Sequence, residues 1–292
     1  LRTDACNTIR NNHIPNITKL VYRINPEYKY RKTIPLEIVY ESLKINDTLL
    51  FERDGIKKRA DYKNLSIVNA GTLVINIDNG PLSVMRYIAN NTVQDDDSPI
   101  KFVMDFAANM LYFRSLQGNG FIGLMQNGED LEQFIIKNGY VEDFQRFLRE
   151  YAHINVKLGK VKGPTDETLV QKFRTKELPF NMISSSGTRS LMLFYYWIKH
   201  ASTLSFLYFD EFDAFYHYEL AESVMRDVIG RSDFQSILTS HNTDLVSNEI
   251  MRPDCYLIIS NGKIRSMPEL TERELREGHS LRKLLIGGEF NE

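Results

Sequence analysis

Leu204-Ser205-Phe206-Leu207-Tyr208-Phe209-Asp210-Glu211 is the stretch on which the reading of this chain turns. An almost unbroken apolar run stops at two adjacent carboxylates. A run this short and this apolar predicts a strand buried on both faces, as in a parallel sheet covered by helices. Open sheets of that kind take their ligands at the carboxyl ends of the strands. Asp210 and Glu211 occupy that end. One carboxylate there can hold Mg²⁺ through water, and the next can polarise an attacking water. Adjacent carboxylates repel each other unless a cation or solvent offsets them. Taken alone, the pair reads equally as a solvated strand end.

Outward from this strand the pattern alternates. A helix is expected from about Thr188 to His200 and another over 217–230. Short apolar strands follow at Gln235–Thr239 and Cys255–Ile259, the second turning at Ser260-Asn261-Gly262-Lys263. Strands alternating with helices predict an α/β fold: a mostly parallel sheet flanked by helices. Upstream, short strands are expected at 154–158, 167–173 and 178–182. Residues 81–152 read as helical, with Ile100, Val103, Phe106, Met110 and Phe113 at helical spacing and breaks at Gly118-Asn119-Gly120 and Asn138-Gly139. Strands are expected at Ile34–Tyr40, Asp47–Phe51 and Leu73–Ile77. This divides the chain into a β-rich lobe, 1–80, a helical insertion, 81–153, and a core lobe, 154–292.

Two further segments flank the opening one. Ser184-Ser185-Ser186-Gly187-Thr188-Arg189 begins the helix that precedes it. Hydroxyls and a glycine at a helix N-terminus make a phosphate site, although the plainer reading is a helix cap. Ser240-His241-Asn242 directly follows the next strand. A lone histidine is more often structural. One at the end of a second sheet strand reaches the same crevice, where neutral imidazole can accept from water or meet a phosphate oxygen.

In order, the three segments resemble the back half of an ABC-class ATPase head. Ser185-Ser186-Gly187-Thr188 resembles the signature motif in the Ser-x-Gly-Thr form of the SMC, RecF and OLD-like branch. Phe206–Asp210 resembles Walker B, with Glu211 as its catalytic base. Phe212-Asp213-Ala214-Phe215-Tyr216-His217 resembles the D-loop, and His241 the switch histidine. The tail, Gly278–Lys283 and Gly287–Phe290, resembles that of bacterial stand-alone AAA-annotated ABC ATPases that accompany phage-defence nucleases.

The resemblance implies a P-loop NTPase fold, ATP and Mg²⁺ as cofactors, and a role for each residue. Asp210 would hold the Mg²⁺ through water. Glu211 would activate the hydrolytic water, and His241 would meet the γ-phosphate. Ser185, Ser186, Gly187 and Thr188 would bind ATP held by a second subunit, and Asp213 would couple the two sites. The implied partners are a second copy, joined head-to-tail through ATP as a homodimer or higher homo-oligomer, and an effector protein of nuclease type. Nucleic acid is an optional partner and a membrane is not one. Glu41 stands where this branch often carries an acidic residue in its Q-loop.

One motif is missing. No Gly-x-x-x-x-Gly-Lys-Ser/Thr occurs in the 292 residues. In the resembled family it precedes the strands placed at 34–53. The reading therefore expects the phosphate loop, with its βα unit, ahead of Leu1 in the natural protein. It does not expect this chain to hydrolyse ATP alone.

Composition bounds the alternatives. A net charge of −2 excludes a globally basic nucleic-acid binder. The basic residues Lys57, Lys58 and Arg59 read first as a solvated loop. Cys6 and Cys255 form neither a disulfide framework nor a zinc set, which with the absence of a secretory signal predicts a reduced, cytoplasmic setting. Trp197 and Phe194–Tyr196 read as packing. Two rivals stand beside the ATPase: an inert ABC-like scaffold or sensor, and a metal-dependent nuclease built on Asp210, Glu211 and Asp213.

Overall fold

The computed structural model describes residues 17–24, 37–45, 48–75, 82–115, 120–123, 130–163, 166–231 and 233–291. Cys6, His13, the expected strand start at Ile34–Leu36 and the breaker at Asp78–Pro81 lie outside them. The chain divides into two compact units, 1–108 and 109–292. This contact boundary falls inside the stretch read from sequence as one helical insertion.

The first unit holds strands β1 (Ile17–Ile24), β2 (Ile38–Ile45), β3 (Thr48–Asp54) and β4 (Arg59–Asp61), antiparallel in that order. Helices α1 (Val84–Asn91) and α2 (Pro99–Ala108) follow. Its core gathers Leu43, Leu50, Phe51, Ile88 and Ile100. Leu73–Ile75 is not a strand. Glu41 is wholly buried here. Its carboxylate accepts from the Ser83 hydroxyl (2.7 Å) and from the backbone N–H groups of Val84 (2.8 Å) and Met85 (3.1 Å), and Arg53 donates to it at 3.4 Å. It caps the N-terminus of α1, where the helix dipole favours an anion. The Q-loop reading of Glu41 gives way to that structural role.

The second unit opens with β5 (Met110–Arg114) and β6 (Gly120–Gly123), in the stretch expected to be helical. The residues from Ile100 to Phe113 fit a helical period, yet Leu111 and Phe113 also alternate with Met110, Tyr112 and Arg114. Pairing with a distant strand decides for the two-residue period. Then come α3 (Leu131–Lys137) and α4 (Val141–Ala152). They meet at Gly139, whose φ of +69° needs a residue without a Cβ. Strands β7 (Leu158–Lys162), β8 (Glu167–Lys172) and β9 (Glu177–Pro179) form an antiparallel sheet. The first of them starts four residues later than the sequence suggested. A single helical turn, α5 (Phe180–Ile183), leads to α6 (Ser186–Lys199).

The deciding stretch becomes β10 (Phe206–Asp210), followed by α7 (Tyr218–Gly230) and β11 (Gln235–Leu238). The sheet order is β11-β10-β5-β6, with β10 parallel to both neighbours and β6 antiparallel. Strands β12 (Leu257–Ser260) and β13 (Lys263–Ser266) pair only with each other among the described residues, forming the hairpin that the turn at Ser260-Asn261-Gly262-Lys263 announced. Helix α8 (Leu281–Ile286) closes the chain. The Phe113 and Phe209 rings lie tilted with centroids 4.4 Å apart on one face of the main sheet, and Phe209 meets Phe194 of α6. Residues Leu191–Tyr196 of α6 are all buried, as expected of a helix apolar all round. No described helix is long and apolar enough to cross a membrane.

Candidate functional site

The parallel pairing puts the carboxyl ends of β5, β10 and β11 side by side. Strand β10 ends at Asp210, β11 continues into Thr239, and β5 ends at Arg114. Asp210 accepts hydrogen bonds from the Thr239 hydroxyl (3.0 Å) and the Tyr112 hydroxyl (3.3 Å). Burial raises the neighbouring Tyr208 phenol, and the charge of Asp210 and then Tyr112 add to it.

Glu211 turns away from the strand. Its φ of +51° is left-handed, which costs an L residue roughly 1–2 kcal/mol. Such strain persists only where surroundings hold it. Here the Glu211 N–H donates to the Thr239 hydroxyl at 2.8 Å. The turn brings the carboxylate to His241, with Oε1 2.9 Å from Nε2. That geometry calls for the proton on Nε2. His241 is 91% exposed and Glu211 25%, so the pair adds little to stability. The loop carrying His241 is fixed locally: Asn242 N–H donates to the Ser240 hydroxyl (2.9 Å) and Asp244 N–H to Asn242 Oδ1 (3.0 Å).

Ser185–Thr188 lies at the start of α6. Ser185 is its N-cap: the hydroxyl accepts from Thr188 N–H at 3.1 Å and lies 2.9 Å from Thr188 Oγ1. The capping function read from the sequence is thus present. Ser185 and Ser186 are exposed, Gly187 is half-buried and Thr188 is buried. A Cβ on Gly187 would stand 3.0 Å from the Phe215 carbonyl oxygen. Three residues along, the Ser190 hydroxyl meets the Tyr216 hydroxyl at 2.9 Å. Burial pushes the Tyr216 phenol up to about 12. Helix α6 therefore rests on the turn that carries Asp213. Asp213 is half-buried and its carbonyl accepts from Tyr216 N–H at 3.0 Å.

The structure thus brings Asp210, Glu211 and His241 into one corner, and sets Ser185–Thr188 against the Asp213 turn. His217 is the N-cap residue of α7, but its side chain makes no capping hydrogen bond and lies 3.8 Å from Glu219. His200 and His279 each bond backbone groups, through Nδ1 to Tyr196 O (2.8 Å) and from Arg276 N–H (3.1 Å). Sequence reasoning missed Thr239 and Tyr112. Thr239 carries a faint signal as the last residue of a strand before Ser-His. Tyr112 carries none, since its partner strand lies far along the chain.

The donor set can be tested against the implied Mg²⁺ and phosphate. Mg²⁺ keeps its waters and binds one or two carboxylates with substrate phosphates rather than a protein cage. A single carboxylate oriented by two hydroxyls fits that need. Beside it, Arg114 Nε and Ser115 Oγ are buried with no hydrogen-bond partner, donors that suit phosphate oxygens or bound water. No three His, Cys, Asp or Glu side chains gather as a metal site among the described residues. Asp210, Glu211 and Asp213 therefore do not assemble the multi-carboxylate centre of the nuclease reading.

No curated protein matches the chain. One family model does, over residues 25–247, a span that contains every candidate site residue. With that match on most of its length, the chain belongs to the P-loop ATPase family described as "AAA domain, putative AbiEii toxin, Type IV TA system".

Proposed function

We propose that this protein is an ABC-type ATPase head of the SMC, RecF and OLD-like branch that closes on ATP with a second copy and gates an effector. The observation that carries this reading is the Glu211–His241 pair at 2.9 Å, at the tips of adjacent parallel strands beside Asp210. A proton acceptor, a histidine and a Mg²⁺-competent carboxylate in one corner are what phosphoryl transfer to water requires.

In this reading Asp210 holds Mg²⁺ through water. The ion supplies charge neutralisation to the phosphates when bound. The Glu211 carboxylate takes the proton of the attacking water. The His241 Nε2–H fixes that carboxylate and then serves a γ-phosphate oxygen. Ser185, Ser186, Gly187 and Thr188 present the N-terminus of α6 to ATP held by the other copy. Asp213, on the turn beneath α6, links the two sites. The missing phosphate loop must come from residues other than these 292. In this reading the core lobe of the head takes in β5 and β6 together with residues 154–292, 1–80 is its β lobe, and the helices within 81–153 serve partners. A nuclease-like effector in phage defence, with nucleic acid as an optional ligand and a cytoplasmic setting, completes the proposal.

The test is Glu211→Gln in the protein as its gene expresses it, followed by light scattering with and without ATP. A stable ATP-dependent dimer, with hydrolysis lost at least 100-fold, supports the head. Nucleotide-independent mass in both proteins favours the scaffold, and metal-dependent cleavage of DNA abolished by the substitution favours the nuclease.

A further inference from the structure

Thr239 touches both Asp210, at its carboxylate, and Glu211, at its backbone N–H. Its hydroxyl has one proton to give, and Asp210 Oδ1 receives it at 3.0 Å. That leaves the oxygen lone pairs for the Glu211 N–H, at 2.8 Å. One side chain thus ties the tip of β11 to both residues that end β10. The Glu211 N–H it receives belongs to a residue whose left-handed φ of +51° would not persist unsupported.

The backbone of Thr239 is engaged separately. Its N–H donates to Phe209 O (3.0 Å), and its carbonyl accepts from Phe212 N–H (3.1 Å). These two bonds hold the strand tips together whatever the side chain. The hydroxyl adds something different: it sets the direction in which Glu211 leaves the strand. That direction is what delivers Oε1 to His241.

We infer that Thr239 is the positioning residue of this site, a latch whose hydroxyl holds Glu211 in the turn that presents its carboxylate to His241. This rests on the ATPase reading only for its consequence in turnover, because the latch itself is a statement about geometry. The hydroxyl also couples the two residues. If Asp210 takes up a different partner, the Thr239 hydroxyl loses its acceptor and is free to rotate away from the Glu211 N–H.

The experiment uses the full-length protein, with Thr239→Val to remove the hydroxyl while keeping the branched shape, and Thr239→Ser to keep the hydroxyl. Thr239→Ala replaces Val should the latter fail to fold. Two readouts separate the latch from the ATPase reading. The first is the His241 Nε2 resonance in histidine-labelled protein, with Glu211→Ala, which has no acceptor there, marking the broken pair. Val moves the resonance to the Glu211→Ala position and Ser leaves it at wild type. The latch is overturned if Val leaves it at wild type, or if Ser moves it as far as Val. The second readout is ATP turnover. Val lowers kcat at least tenfold with KM within twofold, and Ser recovers kcat to within threefold. A Val variant within twofold of wild type in kcat, while Glu211→Gln abolishes turnover, also overturns it. Wild-type protein without ATP turnover defeats the ATPase reading alone, and the resonance still decides the latch.

Discussion

The Phe215 carbonyl oxygen closes over Gly187 so tightly that a methyl there would stand 3.0 Å from it. This contact seats the start of α6 on the turn after β10. Gly187→Ala sets two effects against each other. Alanine favours the helix by about 1 kcal/mol, and overpacking against a backbone oxygen costs about 1–3 kcal/mol. The expected outcome is a net loss of up to about 2 kcal/mol in urea unfolding, together with loss of ATP-dependent association. A stabilised variant that still associates would show the contact to be slack.

Ser190 and Tyr216 test the same seam by subtraction. Their hydroxyls are each other's partner at 2.9 Å, with Ser190 fully buried. Ser190→Ala strands a buried phenol and is expected to cost about 1–3 kcal/mol. Ser190→Ala with Tyr216→Phe removes both polar groups and is expected to recover most of that loss. Chemical denaturation of the two single variants and the double variant completes the cycle.

In the first unit, Glu41 answers to four donors at once. Glu41→Ala takes this carboxylate from the buried Arg53 guanidinium and the acceptor from the Val84 and Met85 N–H groups at the start of α1. Breaking one side of a buried pair costs about 3–5 kcal/mol. The expected result is selective melting of this unit, read by hydrogen exchange across residues 38–54 and 84–91. Exchange equal to wild type over those residues would contradict the capping role.

Asp143 gives the chain an acid-sensitive joint. Lys199 at 2.6 Å, and then the Tyr195 hydroxyl at 2.5 Å, hold its carboxyl below the ordinary carboxylate range. Folding therefore lowers its proton affinity. The stabilisation is present above the unfolded value of roughly 3.9 and is lost as pH falls through the native value. The group is partly exposed, so the effect is modest. Lys199→Met is expected to lower stability at pH 7 and to flatten the decline of Tm between pH 5 and pH 3. An unchanged slope would mean that other carboxylates carry the acid transition.

The core of the second unit was legible because its strands announce themselves. Leu204–Glu211 ends in charge, and the alternation with α6, α7 and β11 follows at spacings a parallel sheet allows. The corner of Asp210, Glu211 and His241 was legible for the same reason, since all three lie at the ends of apolar runs. Met110–Arg114 was not, because five residues admit either period and the pairing partner, β10, lies far along the sequence. Strand β12 and its turn were legible together, since Ser260-Asn261-Gly262-Lys263 announces the hairpin that pairs it with β13. Thr239 was hidden differently. A threonine at a strand end needs no explanation beyond its β-propensity, and only the geometry shows that its hydroxyl serves both the Asp210 carboxylate and the Glu211 N–H.

The register of β10 against β11 has a consequence for how the sequence can drift. Four pairs, from Phe206–Gln235 to Phe209–Leu238, count out the distance at which Thr239 falls opposite Asp210. Deleting or inserting one residue within 235–238 flips every later side chain to the other face, and the hydroxyl would leave the carboxylates. Natural variants are therefore expected to differ in length before Gln235 or beyond Asn248, while the count between Phe206 and Asp210, and between Gln235 and His241, stays fixed even where the residues themselves change.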